Sequence, residues 1–396
     1  MTTIAAAAYF PDRLSVQSGT GAFTIEIADG LAAAESAWRE LERNAVMSPY
    51  GRYDWIAHLA RNVPPSGEIR VAVLRDAAGR LAVTMPLQVE RAFGARVAAA
   101  IGGKHVNYNL PLIRSDLFPA LTPERTRALL RQIGQALGVD AFAWPNMPTI
   151  WHGQPNPFAS GGRPSPSDAW SLPLEADGDA TLARSMSPEA RKKLRNKVRG
   201  LAKLGPVSIL EGRDPASVDR ILDAFFQQKE TRFGELGIAD PFAEPGMRAF
   251  IRAAAIPEGI EAPAIELYGL VCGERIVAVL GGAADPHRLS GMFVSFEQGD
   301  AAKFSPGEIL VTDVIRLQCA RGRSVFDLGV GDARYKRSIC DTVEALVDVV
   351  VPVTGRGRIY ATLHGTAVDL KRRVKASPRA MTMVGRARRI KATLRG

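Results

Sequence analysis

The sequence predicts a mixed α/β fold made of two similar halves. Up to residue 144, strand and helix patterns follow the order strand, helix, helix, a group of strands, helix, strand. A similar order recurs after residue 188, although no repeat is visible letter by letter. Apolar residues make up 46% of the 396-residue chain and charged residues 23%, which is typical of a globular protein. This length favours two domains.

In the first half, apolar spacing and turn residues define each element. Trp38 and Leu41 lie on one helical stripe. The turn at 76–79 joins two apolar strands into a hairpin. Thr122 is a suitable cap for a helix that Gly138 ends. The expected elements are strand 23–27, helices 31–44 and 50–61, strands 69–74, 81–89, 96–101 and 110–113, helix 122–137 and strand 140–144.

The second half is read in the same way. Ser305 can cap a helix whose first position suits Pro306, and the basic residue and glycine at 321–322 end that helix. The turn residues at 329–332 precede a short polar helix that begins at Ala333. The expected elements are helices 188–203 and 217–233, a hairpin of strands 265–271 and 275–281, strand 289–296, the helix after residue 305, strand 324–328 and the short helix.

Residues 145–173, between the halves, are crowded with proline and glycine. A stretch this long is typical of a lid, a binding loop or a linker. Its aromatic residues Trp151 and Trp170 favour a loop that packs over the crevice between the halves, and a plain linker is the alternative.

Several classes of protein are excluded by composition. Cys272, Cys319 and Cys340 are scattered, so neither a disulfide framework nor a zinc site is expected, and a reducing cytoplasm is indicated. The five histidines are isolated, and no metal site is predicted. No apolar run approaches the ~20 residues of a membrane-spanning helix. Residues 1–20 do not resemble a secretory signal and are expected to form a disordered arm.

Positive charge is concentrated at the C-terminus. The chain carries a net charge of +10, and residues 355–396 contain twelve basic residues and one acid, a net +11. We expect this basic tail to be attracted to an anionic membrane surface, since it lacks the aromatic residues that stack on nucleic-acid bases. The alternative is a solvated, partly helical tail that only aids solubility.

The stretch 289–340 carries the clearest functional signal. A strand, a break and a helix that starts at Pro306 are followed by a second strand that contains Asp327. The amide N–H groups of a helix's first turn lack internal partners and attract anions, so this helix start can hold a pyrophosphate. The short helix that carries Tyr335 is then expected to face the same crevice.

Two motifs in this stretch, SPGEILVTDVI (305–315) and FDLGVGDARYKR (326–337), resemble the BioF2-like (CelD/BcsL-type) acetyltransferases. These belong to the GNAT superfamily and are related to the FemABX aminoacyltransferases. The resemblance includes RKKLRNKVRGLAKLG (191–205) and covers roughly residues 187–351. It implies a tandem GNAT-like acyl-CoA N-acyltransferase fold, in which each half is a mixed, mostly antiparallel sheet flanked by helices.

The resemblance also implies roles for individual residues. Tyr335 would protonate the leaving thiolate, and Asp327 or Glu297 would accept the proton of the attacking amine. The alternatives are a Tyr that anchors its helix, an Asp paired with a nearby basic residue and a solvated Glu. The residues expected to hold the donor are Lys303, Phe304, Ser305, Gly307, Glu308 and Lys336. The residues expected to bind the acceptor are Arg195, Arg199, Arg232 and Asp332, although Asp332 also suits a helix cap and Lys336 can pair with it.

One departure from the family pattern leaves two possible donors. The usual Q/R-x-x-G-x-G/A loop is reduced here to Lys303 and Gly307, so an aminoacyl-tRNA donor is kept beside acyl-CoA. With acyl-CoA as co-substrate, no tightly bound cofactor is expected. The acceptor is expected to be an amine on a sugar, a lipid or a cell-envelope precursor. A non-catalytic GNAT-fold subunit of a membrane polysaccharide system is the alternative from another class.

The resulting division of the chain is a disordered arm (1–20), a degenerate GNAT-like domain (21–180), a catalytic GNAT domain (181–354) and the basic tail (355–396). The expected location is the cytoplasm or the inner face of the membrane, and no DNA partner is expected.

Overall fold

The computed structural model describes residues 13–16, 23–237, 240, 242–257 and 262–376. The elements up to residue 173 are β1 (Arg13–Val16), β2 (Phe23–Asp29), α1 (Glu35–Glu42), β3 (Ala45–Val46), α2 (Tyr53–Asn62), β4 (Glu68–Arg75), β5 (Leu81–Ala92), β6 (Ala95–Ala100), β7 (Leu112–Arg114), α3 (Pro123–Leu137), β8 (Ala141–Pro148), β9 (Ile150–Trp151), β10 (Gln154–Pro155), β11 (Arg163–Pro164) and β12 (Ala169–Pro173).

The remaining elements are α4 (Gly178–Ser185), α5 (Pro188–Leu201), β13 (Val207–Glu211), α6 (Pro215–Leu236), α7 (Met247–Ala255), β14 (Ile265–Cys272), β15 (Arg275–Ala284), β16 (Arg288–Phe296), α8 (Pro306–Ala320), β17 (Val325–Val330), α9 (Arg334–Arg337), β18 (Thr342–Glu344), β19 (Leu346–Pro352) and α10 (Gly355–Ala376). The two hairpins and the main helices of both halves therefore form where the sequence predicts them. Thr122 accepts a hydrogen bond from the Arg125 N–H, and Gly138 adopts a left-handed conformation at the end of α3, as expected.

Two large sheets form the core of the molecule. In the first sheet the strands lie in the order β1-β2-β4-β5-β6-β8-β19-β11, with β3 and β7 paired to one side. The second sheet has the order β13-β14-β15-β16-β17-β12-β18. Neighbouring strands are mostly antiparallel, but β6 pairs parallel with β8 and β16 pairs parallel with β17. Each half thus has one parallel pair at an equivalent place in its sheet.

Two strands join the sheet of the other half. β12 belongs to the first half in sequence but lies between β17 and β18 of the second sheet, and β19 belongs to the second half in sequence but pairs with β8 in the first sheet. The linear division at residues 180 and 354 remains a prediction, but membership of the sheets does not follow it. Because the chain crosses between the sheets twice, the two halves are interlocked.

The apolar core is shared between the halves. One cluster of buried side chains joins the first sheet to α6 and α7, and Trp55 packs edge-on against Phe250 across this junction. A second cluster lies between the second sheet and the helices α4, α5 and α8. Helices α6 and α7, which face the first half, therefore cover one face of the second sheet, and α8 covers the opposite face.

Two stretches differ from the sequence expectation. Within the arm predicted to be disordered, β1 pairs antiparallel with β2, and the rest of residues 1–20 lies outside the described residues. Residues 145–173 form strands β8 to β12 rather than an open loop. Trp151 in this stretch is fully buried and stacks on the guanidinium of Arg288, so the stretch does pack where the halves meet. The buried aromatic rings and the exchanged strand β12 account for its order.

Candidate active site

A gap opens between β16 and β17 because their pairing is short. The parallel register joins only Arg288–Ser290 to Val325–Asp327. A β-bulge follows at Met292, since Gly281 pairs with Phe293 while Gly282 pairs with Gly291. A bulge bends a strand and increases its twist. β16 therefore continues to Phe296 without pairing to β17. The gap between the two strands connects one face of the sheet with the other.

A cavity of about 360 Å³ lies beside this gap. It is bounded by the end of β16, the first turns of α8 and the region around α9. Its lining residues are Val294, Phe296, Ala302, Ser305, Gly307, Glu308, Val311, Tyr335, Ser338 and Ile339. The cavity thus brings together a helix start and the Tyr that the sequence predicts to share one crevice. We call it the donor cavity, because it contains Ser305, Gly307 and Glu308, three of the residues that the sequence predicts to hold the donor.

The start of α8 presents one amide to the donor cavity. The carbonyl oxygen of Ser305 accepts hydrogen bonds from the N–H groups of Glu308 and Ile309, at 3.0 and 3.3 Å. Pro306 has no N–H, so Gly307 supplies the first-turn amide that remains for a ligand. The helix spans 15 residues, and its dipole favours an anion at this end.

The cap predicted at Ser305 is wrong. Ser305 adopts a left-handed backbone conformation (φ 52°, ψ 59°), and its side chain makes no capping hydrogen bond. A capping side chain requires an extended backbone, which turns the hydroxyl toward the first amides of the helix. Ser305 instead lines the donor cavity, where backbone strain of this kind is common at ligand sites.

Tyr335 projects from α9 into the donor cavity, and 47% of its surface is exposed. Partial burial raises its pKa above the usual value, so the phenol keeps its proton at neutral pH. A protonated phenol that lines a ligand cavity can donate a proton. The position is the one that the sequence predicts for a general acid.

An ion pair stands at the edge of the donor cavity. The Lys197 ammonium of α5 contacts the Glu308 carboxylate, and each side chain is about one-third exposed. Lys303 places its ammonium over the ring of Phe304, and that ring packs against the backbone of Gly200. Of the predicted donor residues, Ser305, Gly307 and Glu308 line the cavity, whereas Lys303 and Phe304 do not.

Two predictions around α9 are corrected. The Lys336 ammonium is buried and donates to the carbonyl oxygens of Gly329 and Val330, so it anchors α9 to the end of β17 and is not available to a donor phosphate. Asp332 does not cap the helix, because Ala333 occupies the N-cap position. Asp332 instead forms an ion pair with Arg337 on the surface, and it does not line the donor cavity.

Asp327 lies in a buried polar network rather than in the donor cavity. Its carboxylate accepts hydrogen bonds from Arg288, from the Ser290 hydroxyl and from the Gly329 N–H, at 3.0, 2.9 and 2.8 Å. Arg288 also pairs with Glu344. Burial raises the pKa of Asp327 to about 6 although Arg288 opposes the shift. The strand that carries Asp327 borders the gap, but both carboxylate oxygen atoms already accept hydrogen bonds from other groups.

The other predicted site residues are also away from the donor cavity. Glu297 pairs with Arg275 at 2.6 Å and lines a separate cavity of about 490 Å³ beside α6. Arg232 pairs with Glu235 on the surface of α6. Arg195 and Arg199 are exposed on α5, the helix that supplies Lys197. Glu297 remains a candidate base, and the three Arg residues remain candidates for contacts with an acceptor, as the sequence proposes.

Lys229 has a more specific position than the sequence indicates. Its ammonium donates to the carbonyl oxygen of Val294 at 2.8 Å, on the strand that lines the donor cavity. The rings of Phe225, Phe233 and Phe242 surround it at 5.5–5.7 Å. Burial lowers the pKa of Lys229. The sequence FFQQKETRF contains the signal, an isolated Lys among aromatic residues, but its long-range partner on β16 does not follow from spacing.

The first half has no comparable cavity at the equivalent place in the part of the chain that the structure describes. β6 and β8 pair in parallel over three positions, as β16 and β17 do. A cavity of only about 30 Å³, enough for about one water molecule, lies there against Val106, Tyr108 and Leu110. This half retains the framework of the fold without room for a donor.

Other kinds of site are not evident among the described residues. No group of three or more His, Cys, Asp or Glu side chains there is arranged to hold a metal ion. Within the same ranges, no helix has both the length and the hydropathy needed to span a bilayer. All three cysteines are buried, and burial raises the pKa of the Cys340 thiol, which disfavours the nucleophilic thiolate.

Residues 188–337 match the family model of an acetyltransferase (GNAT) domain. This segment contains every residue of the donor cavity apart from Ser338 and Ile339. The match supports acyl transfer as the enzyme class of the chain and does not favour a non-catalytic subunit. No curated protein matches the sequence.

Two solved structures share the fold of this chain. The crystal structure of FemX aligns with a TM-score of 0.59 at 9% identity, over 85% of this chain and 99% of FemX. A C-terminal domain (DUF2156) assigned to a lysylphosphatidylglycerol synthetase of Agrobacterium fabrum aligns with a TM-score of 0.51 at 12% identity, over 85% and 96% of the two chains. The predicted α/β fold of two GNAT-like halves is therefore confirmed, whereas the BioF2-like family stays a prediction.

Proposed function

We propose that this protein is an N-acyltransferase that moves an acyl group from acyl-CoA to an amine. The observation that carries the proposal is the donor cavity, in which the Gly307 amide at the start of α8 and the Tyr335 phenol face one space. The cavity adjoins the gap between β16 and β17, so a thioester held there is reachable from the opposite face of the sheet.

The Gly307 N–H would bind the donor's pyrophosphate. A backbone amide at a helix start combines a hydrogen-bond donor with the positive end of the helix dipole, and it approaches a phosphate without an intervening side chain. Val294 and Phe296 offer an apolar wall to the pantetheine arm. Lys197 compensates the charge of Glu308, which would otherwise repel the phosphates.

The transfer would take place by direct attack. The amine nitrogen forms a bond to the thioester carbonyl carbon, and the carbon–sulfur bond breaks as the tetrahedral intermediate collapses. Tyr335 gives its phenolic proton to the departing thiolate. The proton lost by the acylated nitrogen passes through water or a nearby base and reprotonates the Tyr335 phenolate. Because the oxygen atoms of Asp327 are engaged by other groups, we assign no direct contact between Asp327 and the amine.

The acceptor class rests on the resemblance to CelD/BcsL-type enzymes and on the shared fold. We propose an amine on a sugar, a lipid or a cell-envelope precursor. FemX and the lysylphosphatidylglycerol synthetase domain have the same fold. The cytoplasm, or the inner face of the membrane, is the proposed place of reaction.

An aminoacyl-tRNA donor is the second candidate. The basic residues of α5 favour it, because only Lys197 on this helix forms an ion pair among the described residues, while Arg195 and Arg199 are exposed beside it. A row of uncompensated charge near the donor cavity suits a nucleic-acid backbone as well as the phosphates of coenzyme A.

Calorimetry with acetyl-CoA and with longer acyl-CoAs tests the proposal. We expect saturable binding that free coenzyme A inhibits, because the Gly307 amide contacts the shared pyrophosphate. If no acyl-CoA of any length binds, the proposed donor is wrong. Acyl transfer from an aminoacyl-tRNA to an amine, in the absence of acyl-CoA binding, would establish the second candidate instead.

A further inference from the structure

The helix α10 exposes an apolar stripe. One face of α10 packs on the first sheet and buries Gly357, Tyr360, Gly365 and Val368. On the opposite face, Ile359, Leu363 and Leu370 are 63%, 48% and 63% exposed. Their spacings of four and seven residues place these side chains on one line along the helix.

A further exposed ring lies beside this stripe. Phe93, at the tip of the hairpin between β5 and β6, is 72% exposed, and its ring centre lies 6.3 Å from that of Tyr360 in α10. We call the four side chains of Phe93, Ile359, Leu363 and Leu370 the α10 outer face. Large apolar side chains that are exposed together mark an interaction surface more often than scattered ones do.

Basic residues surround the α10 outer face. Arg356, Arg358, Lys371, Arg372 and Arg373 are exposed on the same helix. The single acid of residues 355–396, Asp369, is paired with Arg163 at 2.6 Å and so offers no countercharge to a partner. Beyond Ala376 the sequence adds six basic residues and no acid. The surface therefore combines apolar side chains with an excess of positive charge along the helix.

This charge limits what can cover the α10 outer face. Two copies of the chain would bring two such basic regions together and repel each other. Residues 377–396 carry the same sign of charge as the helix and are a poor cover for the same reason. An anionic lipid surface matches both the positive charge and the apolar side chains. Its headgroups attract Lys and Arg, and the boundary of its acyl chains accepts Leu, Ile and Phe.

We propose that the α10 outer face docks the enzyme on an anionic lipid bilayer, with Phe93 and the apolar stripe inserted at the headgroup boundary. The apolar insertion distinguishes this docking from simple attraction of a charged tail. The surface lies on the first half of the molecule, apart from the donor cavity, so docking does not depend on the proposed acyl transfer.

Vesicle flotation of the full chain tests the proposal. We expect binding to vesicles that contain phosphatidylglycerol and little binding to vesicles of phosphatidylcholine alone. The double variant Leu363→Gln/Leu370→Gln should weaken the partition coefficient by roughly tenfold or more, because two side chains lose their transfer into the lipid boundary. The triple variant Lys371→Gln/Arg372→Gln/Arg373→Gln should weaken it by roughly fivefold per charge.

Matched controls separate insertion from other effects. Ile150 and Val343 are 59% and 51% exposed and lie outside the α10 outer face, so Ile150→Gln/Val343→Gln should bind like the wild type. All these side chains are exposed, and unchanged thermal unfolding will confirm that the variants fold. Equal binding to both kinds of vesicle would overturn the proposal. So would full binding by Leu363→Gln/Leu370→Gln, which would mean that charge alone or an acidic protein partner accounts for the surface.

Discussion

The substitution Gly307→Ala separates donor binding from folding at a single position. A Cβ atom at Gly307 would lie 3.5 Å from Phe296 and 3.7 Å from Val294, which are ordinary van der Waals distances. The backbone there is helical, so the new methyl group costs the fold little and adds helix propensity. The same methyl group projects toward Val294 and Phe296, beside the Gly307 N–H, and there it would crowd a donor held by that amide.

The expected magnitude follows from the contact that is lost. A hydrogen bond from a backbone N–H to a charged phosphate contributes about 1.5–3 kcal/mol, so its loss should raise the Kd for acetyl-CoA by about 10- to 150-fold. The free energy of unfolding should stay equal or rise by about 0.5–1 kcal/mol, because Ala replaces Gly in a helix. Affinity and stability are therefore expected to change in opposite directions.

Calorimetric titration and thermal unfolding of the same samples measure both quantities. Gly234→Ala is the matched control, since Gly234 lies within α6 and a Cβ atom there meets no atom within 4 Å. That variant should gain stability and bind acetyl-CoA normally. If the wild type binds acetyl-CoA and Gly307→Ala binds it equally well, the pyrophosphate does not lie at the start of α8 and the assignment of the site is refuted.

Three further predictions follow from the same site and its surroundings. Tyr335→Phe should lower kcat by about 10²- to 10⁴-fold with little change in donor Kd, and the alkaline limb of the rate profile should disappear with the phenol; an unchanged kcat would remove Tyr335 from the mechanism. Glu308→Gln should tighten acetyl-CoA binding and Lys197→Gln should weaken it, each by about fivefold at low salt, and shifts in the same direction would contradict the proposed charge balance. Burial raises the pKa of Asp327 from 3.8 to about 6, so the folded protein holds a proton that the unfolded chain releases in that interval. The Asp327 contribution to stability should therefore be present below about pH 4 and lost as the pH rises to about 6. Urea unfolding of Asp327→Asn should lack this component, and identical pH profiles for variant and wild type would count against the buried network.

Local signals explain why much of the site was predictable. Pro306 and Gly307 mark a helix start through their own backbone properties, and the short spacing from Asp327 to Tyr335 brings α9 back to the same end of the sheet. These effects involve residues close in sequence, so pattern and turn chemistry are sufficient to anticipate them.

The surroundings of Asp327 were not predictable, because its partners are distant in sequence. Asp327 is occupied because Arg288 and Ser290 lie on the parallel neighbour strand, 39 and 37 positions away. Tyr50 of the first half continues this network through the Ser290 hydroxyl at 3.0 Å. Such contacts are set by strand order and by the packing of the halves, which spacing does not encode. The position of Lys336 has a more local cause, because its hydrogen bonds to backbone carbonyl groups depend on how closely α9 approaches β17.

Sequence patterns are sufficient for the main helices and hairpins of both halves, for the helix start that offers Gly307, for the Tyr after the second strand and for the concentration of charge at the C-terminus. Each of these is a property of neighbouring residues. Three features become visible only in the folded molecule: the exchange of β12 and β19 between the sheets, the small size of the cavity beside Tyr108 in the first half, and the outward position of the apolar stripe of α10. These features depend on which apolar surfaces, distant in sequence, are buried against each other. Such burial is a property of the whole chain.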